Sequence, residues 1–401
     1  MAGGLSDLRA ATRLAVDATR GVTDLVEAMH RAVSPIEGWT SSAAPGRTSG
    51  LTGLVYGSVR GVTRIVGSGL DLALGRLAPM VRESQRAPAQ EAVIAALNGV
   101  LGDFLAASGN ALATPMQLHS DGRCLSLSRE ALREQVPRAS SRIVVLVHGL
   151  CMNDLQWHRD GHDHGAALAR DLGMTPLYLR YNTGLHVSAN GAALSTLLEE
   201  LLAAWPVEVR ELTILAHSMG GLVTRSALHT ATLQGLGWPS RLTRIVFLGT
   251  PHHGAPLERG GNALGMLLGL SRYTAPFTRL ARLRSAGITD LRHGSVVDAD
   301  WRGRDRFAAG IHRQAVPLPD GVACFAIAAT TAAQNASPRA RLPGDGLVPV
   351  DSALGRHRDA RFVLDFPPGR QWIAHGTNHL ELQTRPEVYA RIREWCLPAM
   401  T

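Results

Sequence analysis

The spacing of hydrophobic residues changes near residue 115 of the 401-residue chain. Before this point, apolar residues recur at roughly helical intervals, which predicts helices over residues 5–29, 51–77 and 89–107. After it, short apolar runs of strand length alternate with helical stretches. We therefore divide the chain into a helical N-terminal extension, residues 1–112, and a second domain, residues 113–401.

The second domain opens with a predicted hairpin around a turn at residues 120–122 and continues as strands that alternate with helices. Such alternation builds a mainly parallel, doubly wound sheet with helices on both faces, so the predicted fold class is α/β. The predicted strands cover residues 116–118, 124–127, 143–147, 177–181, 212–216, 245–248, 324–328 and 362–364. The predicted helices cover residues 166–172, 192–205 and 387–395, and a further helix starts just after residue 218.

One connection between strands is too long for a simple crossover. Residues 252–317 are rich in Gly and Arg and contain only short helical stretches. We interpret this segment as a cap inserted into the sheet domain. Its Leu-, Met- and Gly-rich stretch at 263–270 favours an apolar acyl group as the bound partner.

A serine stands where the predicted strand 212–216 gives way to a helix. The small residues Ala216 and Gly220 lie two positions before and two positions after Ser218. Small residues at these positions permit a sharp turn, which presents the serine hydroxyl at the carboxyl edge of the sheet. We therefore predict Ser218 as a nucleophile and expect its neighbour His217 to fill space beneath the turn.

Acyl transfer to a serine also requires donors for the oxyanion that develops on the substrate. The predicted strand 143–147 ends in His148-Gly149-Leu150. In a fold with a nucleophile turn of this kind, the residue after the nucleophile and a residue after an earlier strand donate backbone N–H groups. The sequence therefore predicts an oxyanion hole made by Leu150 and Met219, with His148 in a structural role.

The nucleophile needs a base, and the base needs an acid that orients it. Both are expected after Ser218 in the chain, each on a loop that follows a strand. Asp345 stands between two glycines and is the predicted acid, with Asp351 as the alternative. His379 precedes a helix start and is the predicted base, with His375 as the alternative.

These motifs resemble the bacterial lipase and esterase branch of the α/β-hydrolase superfamily, and they are similar to triacylglycerol lipases and GPI inositol-deacylase-like proteins. The resemblance covers about residues 115–400 and leaves out the N-terminal helices. It implies hydrolysis of carboxylic esters with no organic cofactor. Some relatives carry a structural metal, whose ligands are not matched in this sequence. The matching segments are 148–150, 216–220, 248–254, 344–349 and 379–382.

Two histidine clusters remain open to more than one interpretation. His158, His162 and His164 lie near two aspartates and have the chemistry of metal ligands. A helix start capped by Asp163 explains the same pattern and is favoured, so no metal site is assigned. The second cluster, His252 and His253, either lines an acyl pocket together with Cys151 or shapes the turn after a strand.

Charge and composition limit the classes of partner and of chemistry that the sequence predicts. The net charge is +8, but the arginines are spread along the chain without interleaved aromatic residues, so no nucleic-acid partner is predicted. The sequence contains no lysine, which excludes Schiff-base chemistry and Ser–Lys dyads. No secretory signal, long apolar run or disulfide spacing occurs, which favours a cytoplasmic location. Residues 1–110 are a candidate for peripheral contact with a membrane or lipid surface.

The patterns together predict a carboxylesterase or lipase that acts on a small-molecule or lipid ester through an acyl-enzyme on Ser218. An acyltransferase that uses the same three residues is the first alternative. A catalytically silent scaffold on a lipid surface is the second, and the N-terminal helices are the feature that motivates it.

Overall fold

The computed structural model describes residues 88–255, 285–303, 313–334 and 344–397. The helices predicted at 5–29 and 51–77 lie outside these residues, as do 256–284 and 304–312 of the predicted cap. Within the described ranges, no helix combines the length and the apolarity needed to span a bilayer. The helices are α1 (Pro88–Ala107), α2 (Arg129–Gln135), α3 (His164–Leu172), α4 (Val187–Ala204), α5 (Met219–Gln234), α6 (Ala286–His293), α7 (Val350–Ala353) and α8 (Pro386–Cys396).

The strands form an eight-stranded sheet in the order β2-β1-β4-β3-β5-β6-β7-β8. β1 pairs antiparallel with β2 and β4, and the remaining pairs are parallel. The chain passes from β3 to β4 on one side and then to β5 on the other, so the predicted doubly wound, mainly parallel sheet is confirmed. The strands are β1 (Gln117–Ser120), β2 (Arg123–Cys124), β3 (Arg142–Val147), β4 (Thr175–Arg180), β5 (Glu211–His217), β6 (Leu242–Leu248), β7 (Ala323–Thr330) and β8 (Gln371–His375).

The central strands are apolar because both faces of the sheet are covered. Alternate residues of a strand point to opposite faces. Val145 of β3 and Ile214 of β5 therefore pack into one hydrophobic core, whereas Val144 and Leu215 pack into a second core on the other face. Nearly continuous apolar runs are the expected signature of such doubly buried strands.

The last strand differs from the prediction, because residues 362–364 are not a strand. The Asp359 carboxylate accepts the backbone N–H of Arg361 and caps a 3₁₀ turn at Ala360–Phe362. Leu364 then packs into the core, and the edge position of the sheet is taken by β8. An edge strand has one neighbour only, and β8 begins and ends with polar residues, which explains its weak apolar signal.

Helix α1, which the sequence assigns to the N-terminal extension, packs in part with the sheet. Residues 88–104 and 114–401 form one compact unit. In that unit Glu91 pairs with Arg180 at 3.0 Å, and Ser285 Oγ donates to the carbonyl of Gly99 at 2.6 Å. Gly99 lies so close to Cys151 that an added Cβ would collide with its sulfur. The boundary of the extension at residue 112 stays a prediction.

These contacts predict different outcomes for two N-terminal truncations. Residues 88–401 keep α1, whereas residues 114–401 lose it together with the buried side chains of Ala96 and Val100 and with Glu91, one of the two acidic partners of Arg180. We expect the shorter chain to be less stable by more than about 3 kcal/mol, because a core contact and a partly buried ion pair are lost together. Urea unfolding of the two truncations measures the difference, and equal midpoints would contradict it.

Candidate active site

The turn between β5 and α5 holds Ser218 in a strained conformation. Its φ is 54° and its ψ is −125°, values that side chains rarely adopt. The turn is tight enough that a Cβ on Gly220 would collide with the carbonyl oxygen of Val147. Ser218 N donates to the carbonyl of Leu248 at 2.8 Å, which fixes the turn against the end of β6.

The predicted acid and base lie together in the fold. His379 Nδ1 is 2.7 Å from Asp345 Oδ2, and both side chains are buried. The other carboxylate oxygen of Asp345 accepts the backbone N–H groups of Leu347 and Val348 at 2.9 and 2.8 Å. Since two N–H groups hold one oxygen, the second oxygen is oriented towards the imidazole. A carboxylate held in this way selects the histidine tautomer that carries its proton on Nδ1.

The His379 ring is seated by two residues whose roles the sequence did not reveal. Gly249 has a φ of 56°, and an added Cβ would lie 3.1 Å from the His379 ring. His217 Nε2 donates to the carbonyl of His379 at 3.1 Å, and the two ring centroids are 4.7 Å apart. For Gly249, the sequence offered one signal, which is a glycine directly after an apolar strand. His217 therefore contacts the predicted base in addition to filling the space beneath the turn.

Ser218 and His379 converge on the carboxyl end of β6. Ser218 bonds to the last residue of that strand, and His379 lies over Gly249, which is the next residue. His379 Nε2 is buried and has no hydrogen-bond partner among the described residues. In the tautomer set by Asp345 this nitrogen is an acceptor, which is the state needed to take a proton from a serine hydroxyl.

The predicted oxyanion donors lie at the ends of two adjacent strands. Met219 is the first residue of α5, and the first N–H groups of a helix have no intrahelical acceptor. Leu150 follows Gly149, where an added Cβ would lie 3.0 Å from Ser218 Cβ. Next along the loop, Cys151 N donates to Thr183 Oγ1 at 3.1 Å. The loop that carries the Leu150 N–H therefore passes directly beside the serine.

The alternative acid and base lie elsewhere. Asp351 is exposed and pairs with Arg356 at 3.3 Å. His375 ends β8, and its carbonyl accepts from Thr377 Oγ1 at 3.0 Å. Among the described residues, neither side chain forms a hydrogen bond with Asp345 or His379.

The histidines that follow the oxyanion loop form a structural cluster. Asp163 caps α3 through the backbone N–H of Ala166, as the capping interpretation requires. His162 Nε2 lies 2.7 Å from His164 Nδ1, and His164 Nε2 donates to the carbonyl of Leu382 at 2.9 Å. In the part of the chain that the structure describes, no group of three or more His, Cys, Asp or Glu residues is arranged to hold a metal ion.

The remaining candidates separate into two places. His252 and His253 line a cavity of about 260 Å³, whereas Cys151 is buried against α1 and is not among the lining residues of that cavity. Burial raises the pKa of the Cys151 thiol to about 12. The thiol is therefore protonated at neutral pH and is not a nucleophile. The assignment of these three residues to an acyl pocket stays a prediction.

Two buried histidines predict acid sensitivity. Burial lowers the pKa of His148 to about 4 and that of His164 to about 3. The unfolded chain takes up these protons below about pH 6.5, whereas the folded chain resists them down to those values. Stability should therefore fall as the pH drops from 6.5 towards 4, by up to about 1.4 kcal/mol per pH unit for each residue.

The measurement is urea unfolding at several pH values. In His164→Gln, the free energy of unfolding should depend less steeply on pH, because one of the two buried histidines is removed. His158→Gln is the matched control, because His158 is exposed. An unchanged pH dependence in His164→Gln would contradict the assignment.

One family model and several solved structures are similar to this chain. Residues 138–318 match the model of the PGAP1-like alpha/beta domain. Similar solved structures include the mature lipase of Bacillus licheniformis, at 17% identity and TM-score 0.39 over 63% of this chain and 91% of that chain. A thioesterase from the prodiginine pathway of Streptomyces coelicolor has 15% identity and TM-score 0.38 over 64% and 91%. An esterase of Pyrococcus furiosus has 14% identity and TM-score 0.37 over 64% and 81%.

No curated protein sequence matches the chain. The fold assignment depends on the domain model and on features of the structure itself. These features are the strand order, with an antiparallel β1 next to a parallel sheet, and the strained serine between β5 and α5. These features give the chain the α/β-hydrolase fold, and its residues 138–318 are similar to the PGAP1-like alpha/beta domain.

Proposed function

We propose that this protein is a serine hydrolase that cleaves carboxylic esters through an acyl-enzyme on Ser218. The observation that carries the proposal is the buried pair of Asp345 and His379, 2.7 Å apart, at the strand end against which the strained Ser218 is held. Strain at a polar residue is costly and is typically retained where chemistry requires it. A buried, oriented imidazole with a free nitrogen provides the matching base.

In the proposed reaction, Ser218 Oγ attacks the ester carbonyl while His379 Nε2 takes the hydroxyl proton. The negative charge that develops on the carbonyl oxygen is stabilised by the N–H groups of Leu150 and Met219. His379 then returns the proton to the departing alcohol, which leaves an acyl-enzyme. Water releases the acid by the same sequence of steps, and Asp345 stays ionised throughout.

Covalent labelling tests the nucleophile directly. A fluorophosphonate forms a bond from phosphorus to a serine oxygen and releases fluoride, provided that a base removes the hydroxyl proton. Because the chain lacks lysine, trypsin cuts only after arginine and releases Ser218 within residues 211–225. We expect the added mass on that peptide. His379→Gln should slow the labelling strongly, whereas His375→Gln should not.

Substrate class is tested with p-nitrophenyl esters from acetyl to palmitoyl. A maximum at long chains would support a lipase, and a maximum at short chains would support an esterase. Faster product formation on addition of an acceptor alcohol, with the new ester detected, would favour the acyltransferase. Absence of both Ser218 labelling and turnover of every ester would favour the catalytically silent scaffold.

A further inference from the structure

A cavity of about 260 Å³ lies beside the helix that follows the nucleophile. Its lining includes Arg225 of α5, His252 and His253 from the segment after β6, and Arg313. Arg225 comes seven residues after Ser218, nearly two full turns, so it lies about 10 Å further along the helix and on nearly the same side. The cavity borders the segment that follows β6, and Ser218, Asp345 and His379 are not among its lining residues.

Arg225 is a buried cation without an acidic partner among the described residues. It is 6% exposed, and one of its terminal nitrogens donates to the carbonyl of Val316. Its Nε has no hydrogen-bond partner, and no carboxylate of the described residues forms an ion pair with it. Burial lowers its pKa to about 10, so it remains charged at neutral pH. Buried charges are normally paired, so a buried guanidinium that no described carboxylate pairs with favours binding of an anion.

A second arginine faces the same cavity and adds to its positive charge. Arg313 Nη1 donates to the carbonyl of His252 at 3.1 Å, while its Nε has no hydrogen-bond partner among the described residues. The charge of Arg313 also lowers the pKa of Arg225, as expected for two cations near each other. The lining therefore brings like charges together, which is unfavourable unless an anion lies between them.

The nearby acid does not balance these charges by direct contact. Asp300 acts on both arginines electrostatically, but its oxygens are held by backbone groups. One oxygen accepts the N–H of Gln314 at 2.7 Å, and the other accepts the N–H groups of Val296 and Val297. Asp300 therefore shapes the loop under the cavity and leaves both guanidinium groups available to a ligand.

The two histidines border the cavity with different hydrogen bonding. The ring nitrogens of His252 are buried without partners among the described residues, whereas the His253 ring lies within reach of the Gly355 backbone and donates to it. Burial is the largest cause that lowers the pKa of both imidazoles, so at neutral pH each presents one N–H donor and one acceptor. Two guanidinium groups and the imidazole N–H of His252 suit the oxygens of a tetrahedral anion better than the two oxygens of a carboxylate.

We propose that this cavity binds a phosphate group, held by Arg225 and Arg313 and bordered by His252 and His253. The phosphate is either a free ion or part of a phosphate-bearing ester. The proposal does not depend on the acyl-enzyme chemistry at Ser218, because binding is measurable without turnover.

Calorimetric titration of the full chain with sodium phosphate tests the proposal, with sodium chloride of equal ionic strength as the reference. We expect saturable binding of one phosphate per chain. Arg313→Met should raise the Kd more than tenfold, because a charged hydrogen-bond donor is lost. Arg170→Met is the matched control, since Arg170 is an exposed arginine on α3 that pairs with Asp171, and it should leave the Kd unchanged within twofold. No saturable binding, or an equal Kd in Arg313→Met, would overturn the proposal.

Arg225→Met provides the second test. It distinguishes phosphate binding by Arg225 from a purely structural role of this residue. We expect the folded variant to lose the phosphate-dependent rise in Tm that the wild type shows. A variant that melts earlier but keeps that rise would mean that Arg225 only anchors Val316, and it would overturn the assignment. If Arg225→Met does not fold, the comparison of Arg313→Met with wild type decides alone.

The source of the phosphate is resolved by two ligands. Inorganic phosphate and glycerol 3-phosphate are titrated separately into the wild type and Arg313→Met. Tighter binding of glycerol 3-phosphate would identify a phosphate ester as the occupant, and tighter binding of inorganic phosphate would identify the free ion. Arg313→Met must raise the Kd of whichever ligand binds more tightly to the wild type. If it does not, the cavity is not the binding site.

Discussion

Ser218→Ala is expected to abolish ester hydrolysis, with a fall in kcat of roughly 10⁴- to 10⁶-fold. The substitution removes the attacking oxygen and leaves the backbone donors in place, so the residual rate reflects binding and oxyanion stabilisation alone. Ser218 is 2% exposed, and alanine fills nearly the same space. The strained backbone is retained as well, so we expect the variant to fold normally. Initial rates with a p-nitrophenyl ester measure the effect.

Ser226→Ala is the matched control for this experiment. Ser226 lies within α5, is also buried and, like Ser218, is 2% exposed. It should keep its activity within a few-fold, because its hydroxyl is not part of the proposed reaction. Equal activity in wild type and Ser218→Ala would contradict the nucleophile assignment and direct the search to other side chains.

Asp345→Asn is expected to lower kcat by about 10⁴-fold. The reason is specific to the hydrogen bonds around this carboxylate. One oxygen accepts two backbone N–H groups, from Leu347 and Val348. The amide oxygen of asparagine must take that place, which turns its NH₂ group towards His379 Nδ1. Nδ1 then becomes an acceptor, the imidazole proton moves to Nε2, and the base can no longer accept the Ser218 proton.

The stability of Asp345→Asn separates this effect from misfolding. Because the loop bonds are kept, we expect a Tm close to that of the wild type. Asp351→Asn is the control, since Asp351 is exposed and its carboxylate pairs with Arg356. It should leave kcat unchanged. A loss of activity in Asp351→Asn, with activity retained in Asp345→Asn, would reverse the assignment of the acid.

The local sequence predicts a structural feature correctly where all residues that determine that feature lie in one short segment. The apolar runs of β3 and β5 predict buried strands because both faces of those strands are covered. Ala216 and Gly220 predict the turn at Ser218 because only small residues fit around it. The pattern does not reveal β8 because this strand lies at the edge of the sheet and its apolar signal is weak. Residues 362–364 have the composition of a strand, but they follow a capped 3₁₀ turn and do not join the sheet.

Other features depend on residues that are far apart in the chain. Asp345 was favoured by its flanking glycines and His379 by its position before a helix start, but only the tertiary structure brings them to 2.7 Å and leaves Asp351 exposed. The docking of α1 against Cys151 follows from the missing side chain of Gly99. Arg225 and Arg313 are 88 positions apart, and no local pattern links them. Local sequence thus determined the buried central strands and the serine turn, because their apolar runs and small residues lie within one short segment. The pairing of distant charges was decided by the tertiary fold, because burial and electrostatic partners exist only once the chain is packed.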